Sequence, residues 1–141
     1  PERRTPKPRI YGILPAVVQT NDAGDITKFA QIGPDLRTGD MSGRYQVKFK
    51  FDPETMTMRS GSHRVRQIQS LAGPNYGMHF PLRPGAEVMV AFEDGDPDRP
   101  VIVGSIHHPV SPNVVQQSHY TKSRLKTESG VLFEIEDGAG S

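Results

Sequence analysis

From Gly43 to Asp52 the chain reads GRYQVKFKFD, with apolar and polar residues in strict alternation. Successive side chains of a strand point to opposite faces. Tyr45, Val47, Phe49 and Phe51 therefore share one face, and Arg44, Gln46, Lys48 and Lys50 share the other. A helix would scatter both sets. The pattern predicts a strand with a buried aromatic face and a solvated basic one. Glu87–Glu93 and Arg99–Ile106 give two further strands, apolar on both faces. Val88, Val90 and Phe92 lie on one side of the first of these, Met89 and Ala91 on the other. Between them runs Asp94-Gly95-Asp96-Pro97-Asp98, which is turn chemistry, so the pair reads as a hairpin. The predicted core is Tyr45, Val47, Phe49, Phe51, Val88, Val90 and Phe92.

Two weaker patterns complete the set. Arg9–Gln19 (RIYGILPAVVQ) reads as a first strand, broken by Gly12 and Pro15. Proline gives a ladder no N–H, so this stretch suits a sheet edge or a bulge. His63–Ser70 (HRVRQIQS) places Val65 and Ile68 on opposite faces, so a bulge or kink is expected. Residues 20–42 and 53–62 read as loops. Residues 71–85 form a turn-dense connection around the apolar stretch Met78–Leu82. No amphipathic helix is visible. Five short strands close best into a barrel, which removes exposed edges; the small five-stranded solution is the OB-fold. The predicted organisation is a linker at 1–8, an all-β five-stranded OB-fold barrel at 9–108, and an extension at 109–141. In that extension residues 109–129 are polar and aperiodic. Gly130–Glu136 then alternates again, Val131, Phe133 and Ile135 against Leu132, Glu134 and Glu136. A lone strand cannot bury its apolar face, so this one is expected to need a partner from outside the segment.

Composition supports a turn-rich β protein: 14 glycines and 13 prolines, both poor inside helices. The net charge is +1, which gives no electrostatic reason to expect a polyanion. Arg3, Arg4, Lys7 and Arg9 form the dense basic patch. Pro1, Pro6 and Pro8 interrupt it, and it reads as a solvated linker. With no cysteine, disulfides and thiolate metal sites are excluded. No apolar run is long enough to span a membrane as a helix, and no segment resembles a signal peptide. Synthesis in the cytoplasm, with any export by a route that needs no signal peptide, is the expectation. The chain opens on Pro1 and ends at Gly138–Ser141, so a fragment of a longer protein is also expected.

Candidate chemistry is sparse. Asp94, Asp96 and Asp98 resemble the start of a calcium loop. Such a loop needs Gly at its sixth position and Glu at its twelfth, and Arg99 and Ser105 stand there instead. His63, His79, His107, His108 and His119 show no ligand spacing. His107 and His108 would point to opposite faces of a strand. No nucleophile–base–acid set, paired carboxylates or phosphate loop is apparent. The expectation is no catalytic residue, no cofactor and no metal. The rival reading is a nucleic-acid-binding OB module, which stacks bases on exposed aromatics above a basic groove. Lys48, Lys50 and Arg44 supply charge, but the strand's aromatics fall on the inward face.

EVMVAFEDGDPDRPVIVGSIHHPVSP, residues 87–112, resembles the hairpin of the VgrG spike proteins of type VI secretion and their phage tail-spike relatives. In that family a strand ends at an acidic GDPDxP turn and returns as VIVGxI. GRYQVKFKFD, VRQIQSLAGPNYG and MHFPLRPGAEVMV are similar to further family segments, with Phe51, Leu71 and Tyr76 at places where tryptophan is common. TPKPRIYG and YTKSRLKTESGVLFEIEDGAG resemble the flanks, the second leading into a stalk. The resemblance implies an OB domain in a homotrimeric, membrane-puncturing spike. Its partners would be a tail tube and a PAAR-type tip or effector protein, with no nucleic acid and no reaction of its own. It would be assembled in the bacterial cytoplasm and then injected. A phage baseplate hub is the alternative.

Overall fold

The computed structural model describes residues 5–19, 33–35, 40–52 and 64–138, and only the backbone at 33–35 and 40–42. The chain is all-β. It forms two compact units, Pro1–Ile106 and His107–Ser141.

Among its described residues the first unit holds nine strands. They are β1 (Leu14–Val18), β2 (Gly33–Asp35), β3 (Asp40–Arg44), β4 (Val47–Phe49), β5 (Arg66–Gln67), β6 (Ala72–Gly73), β7 (Tyr76–Gly77), β8 (Glu87–Phe92) and β9 (Pro100–Ser105). Five of them form one mixed sheet in the order β4-β1-β8-β9-β5. The β8–β9 hairpin, expected from the turn residues between two apolar strands, lies at its heart. Its register slips between Met89, opposite Gly104, and Val90, opposite Ile102. Val103 is thus the extra residue of a bulge, which bends β9. The other sheet contacts are antiparallel except that of β5, which runs parallel to β9. Just before the two outer strands, Tyr45 and Val65 form an antiparallel bridge, with N–H···O distances of 2.9 and 2.6 Å.

The expectation for Pro15 needs correction, since β1 has neighbours on both sides rather than lying at an edge. Pro15 is tolerated because it stands where the β4 pairing begins. It is opposite Met89 of β8, while pairing to β4 starts at Ala16. Its carbonyl still accepts the Lys50 N–H at 3.2 Å.

The core comprises Ala16, Val18, Tyr45, Val47, Val65, Leu82, Val88, Val90 and Ile102. Phe49 and Phe92 pack against it, half-buried, their rings stacked at 5.9 Å. Phe51 departs from the predicted core. The strand stops at Phe49, the chain turns at Lys50–Phe51, and Phe51 is 68% exposed with its ring against Phe49 at 5.3 Å. Lys48 departs in the opposite sense: it is 2% exposed. Val47 and Lys48 belong to opposite faces and both are buried, so β4 is covered on both sides at this point. The reading of a solvated basic face fails here, since a lysine stem can be buried under cover. Val65 fits its predicted strand, but only Arg66–Gln67 continue it, and Ile68 is exposed.

Two small hairpins lie outside the main sheet. β2 pairs with β3, so residues 33–35 and 40–42 are strand where loop was expected. β6 pairs with β7 around Pro74-Asn75. Asn75 has φ 62°, and Pro followed by a left-handed Asn suits a type II turn. The loop expected at 53–62 and the remaining residues of 20–42 lie outside the described residues.

The second unit is a hairpin of β10 (Lys122–Lys126) and β11 (Leu132–Glu136), in register from Lys122 opposite Glu136 to Lys126 opposite Leu132. The strand at 132–136 is therefore not alone: its partner lies in the stretch read as aperiodic linker. A short 3₁₀ turn, Gln117–His119, precedes β10.

Candidate functional surfaces

The acidic turn is built on two left-handed residues, Asp94 (φ 52°) and Gly95 (φ 69°). Gly95 is buried, and a Cβ there would lie 2.9 Å from the Tyr11 ring, so only glycine fits beneath Tyr11. The turn closes through Asp96 N–H to Glu93 O at 3.0 Å and Glu93 N–H to Arg99 O at 2.9 Å. The Asp98 N–H donates to Asp96 Oδ1 at 3.0 Å. The basic lead-in then lies across it. Lys7 Nζ donates to Asp96 Oδ1 and to Asp98 Oδ2, each at 2.6 Å. Arg9 donates to the Asp94 carbonyl at 2.8 Å, and its guanidinium lies 3.7 Å from the Asp94 carboxylate. Lys7 and Arg9 are thus not simply solvated linker residues; Arg3 and Arg4 lie outside the described residues. The Asp96 bond, then that of Asp98, raises the pKa of Lys7. Lys7 in turn holds the Asp96 carboxyl below its usual range. The Lys7 ammonium thus bridges two of the three aspartates of the turn.

Among the described residues no group of three or more His, Asp or Glu side chains is arranged to hold a metal. His79 joins a polar chain rather than a ligand set. Gln69 lies 2.8 Å from its Nδ1, and the Tyr45 hydroxyl lies 3.2 Å from its Nε2. The Leu82 N–H donates to that same hydroxyl at 3.1 Å. Burial raises the pKa of the Tyr45 phenol, partly offset by the Leu82 N–H. This hydroxyl ties the segment leading into β8 to the core. Tyr45→Phe leaves the Leu82 N–H buried without its acceptor and should lower stability by about 1–3 kcal/mol. Chemical denaturation checks this through the midpoint at unchanged slope. His107, His108 and His119 belong to the second unit, and His63 lies outside the described residues.

The basic face weighed for nucleic acid is largely committed elsewhere. Lys48 is buried, and Lys50 bonds Glu87 Oε2 at 2.7 Å. Glu93 is shared by Arg66 and Arg99, the latter at 2.6 Å. Phe51, Tyr76 and Phe80 are exposed, so some aromatics do face outward, against the sequence expectation for Phe51.

The β10–β11 hairpin separates its chemistry by face. Opposed residues share a face, so Lys122, Arg124, Glu134 and Glu136 line one side, with Lys126 and Leu132 at its end. Lys122 lies 2.8 Å from Glu134 and 3.6 Å from Glu136, and Arg124 Nε bonds Glu134 at 2.6 Å. Bonding to Glu134 raises the pKa of Lys122, and Lys122 lowers that of Glu134. Arg124 also reaches the Val114 carbonyl at 3.4 Å, so the segment before β10 covers part of this face. The other face carries Leu125, Phe133 and Ile135, with Val131 beside them, and all four are exposed. A soluble surface normally has the reverse arrangement, and an exposed apolar patch marks a contact surface.

Residues 35–107 match the family described as the type VI secretion system/phage-baseplate injector OB domain. The chain is 37% identical over 108 residues, 72% of its length, to the type VI secretion system spike protein VgrG3 of Vibrio cholerae. It is 34% identical over 125 residues, 88% of its length, to the actin cross-linking toxin VgrG1 of Vibrio cholerae. A third relative, the type VI secretion system spike protein VgrG1a of Pseudomonas aeruginosa, is 34% identical over 70% of the chain. The matched stretches span 11%, 10% and 15% of the lengths of these three curated relatives.

Proposed function

This chain belongs to the type VI secretion system/phage-baseplate injector OB domain family, and on that premise we propose that it is the structural neck of an injection spike. In this reading residues 9–108 form a five-stranded OB barrel, closed where Tyr45 bridges Val65. Residues 109–141 are a linker and the first hairpin of a trimeric β-stalk. The observation that carries the reading is the hairpin's exposed row of Leu125, Phe133 and Ile135. Such a row is stable in water only when neighbouring turns or chains cover it. The spike names of the relatives favour a secretion machine over a phage tail.

The role is mechanical. The domain transmits force between a tail tube and a PAAR-type tip or effector protein, and it performs no reaction. It is assembled in the bacterial cytoplasm and leaves it by injection. Its surface ion pairs fix loops rather than recruit phosphates, which argues against a nucleic-acid module.

The test compares this chain with a longer protein that carries it together with its stalk. Light scattering should give a trimer for the longer protein and a monomer or weak associate for this chain alone. A monomeric longer protein would sink the proposal. Fluorescence anisotropy with single-stranded DNA at physiological salt should show no binding at micromolar protein, and tight binding would favour the rival module.

A further inference from the structure

The residues before β1 are fastened to the far end of the β8–β9 hairpin, although strand pairing of β1 begins only at Leu14. Lys7 spans Asp96 and Asp98, Arg9 grips Asp94, and the Ile10 N–H donates to the Gly95 carbonyl at 2.8 Å. Tyr11 lies over Gly95 yet is 78% exposed. Gly12 follows with φ 103° and no atom near the position of a Cβ, so the backbone there is free to pivot. We propose that residues 7–11 form an electrostatic strap, closed on the acidic turn by charge, that opens by itself with the sheet intact when that charge is screened or titrated.

Among the described residues little else holds the strap closed. Its backbone contributes the Ile10–Gly95 bond, between a half-buried residue and a buried one, and a single neutral hydrogen bond contributes little net stability. Its side chains bury little. The three carboxylates therefore decide its state, with Lys7 and Arg9 as their counterions. Glu93, at the foot of the same turn, is already engaged by Arg66 and Arg99. Exposed pairs of this kind weaken as salt shortens the screening length from about 10 Å at 0.1 M to about 3 Å at 1 M.

The pH dependence follows from two opposite shifts. Asp96 titrates below its ordinary range, so its contribution is complete above that range and is lost as pH falls through the folded value. Lys7 titrates above its ordinary range, so its contribution is complete below that range and is lost as pH rises through the folded value. The strap is closed across the neutral window and opens at both ends. Opening detaches the preceding segment from the hairpin and takes Lys7 and Arg9 away from Asp94, Asp96 and Asp98. This holds whether or not the chain assembles into a spike.

Amide exchange of Ile10 in this chain, followed by NMR at neutral pH and low salt, tests the strap. Lys7→Gln and Asp96→Asn should each accelerate Ile10 exchange about 1.5- to 5-fold. Asp96→Asn keeps the Oδ1 that caps Asp98 and removes only charge. Sodium chloride at 1 M should accelerate the unsubstituted chain similarly, and Lys7→Arg should keep exchange slow. The amides of β8 should not change in any of these. Ile10 exchange insensitive to both Lys7→Gln and salt would overturn the proposal. So would β8 amides that accelerate by the same factor, since opening would then be unfolding of the sheet.

Discussion

Ile102→Ala should destabilise the first unit by about 2–5 kcal/mol, the range for truncating a fully buried aliphatic side chain. Ile102 is wholly buried in β9. It stands opposite Val90 of β8 on one side and Gln67 of β5 on the other, and its carbonyl accepts the Ile68 N–H at 2.8 Å. Collapse around the lost side chain is hindered because the Val103 bulge fixes the backbone on one side and the parallel β5 pairing on the other. Small domains have about 5–15 kcal/mol in all, so this single change removes a large share. Thermal unfolding followed by circular dichroism would show a midpoint many degrees lower. A shift no larger than that of an exposed control, Val103→Ala, would mean that Ile102 is not a keystone of the core.

The alternation at Tyr45–Val47 and Val88–Val90 made four of the nine core residues legible from sequence, because period two is read directly from residue order. Ile102 was placed in a strand but not in the core. The bulge at Val103 breaks the period of β9, and no residue type announces a bulge. Phe51 and Lys48 were misjudged for two different reasons. The alternation was continued past Phe49, and the second face of β4 was assumed open to water. β10 was missed because KSRLK offers one apolar residue, Leu125, and its strand character comes from pairing with β11. The acidic turn was legible as a turn. Its real counterion was not, since Lys7 lies 89 residues from Asp96 and no local spacing links them. The family resemblance was carried by the hairpin and its turn, which the sheet uses as its centre.

Phe133→Asp should separate folding from assembly more sharply than any other single change. Phe133 is 63% exposed, stands opposite Leu125, and shares its face with Ile135. In this chain alone the substitution removes little buried surface, so its stability should change by no more than about 0.5 kcal/mol. In the proposed trimer the same position is covered by neighbouring strands. Each buried apolar side chain there contributes about 1.5–3 kcal/mol, and an unpaired carboxylate in its place adds a desolvation cost of several kcal/mol. Threefold symmetry repeats that cost in every subunit. The longer protein should therefore lose its trimer at micromolar concentration, while Glu128→Gln, in the turn joining β10 and β11, should leave it intact. Sedimentation velocity on both variants distinguishes the cases. A Phe133→Asp protein that still sediments as a trimer would show that the apolar face of the hairpin is not the surface through which the chains meet.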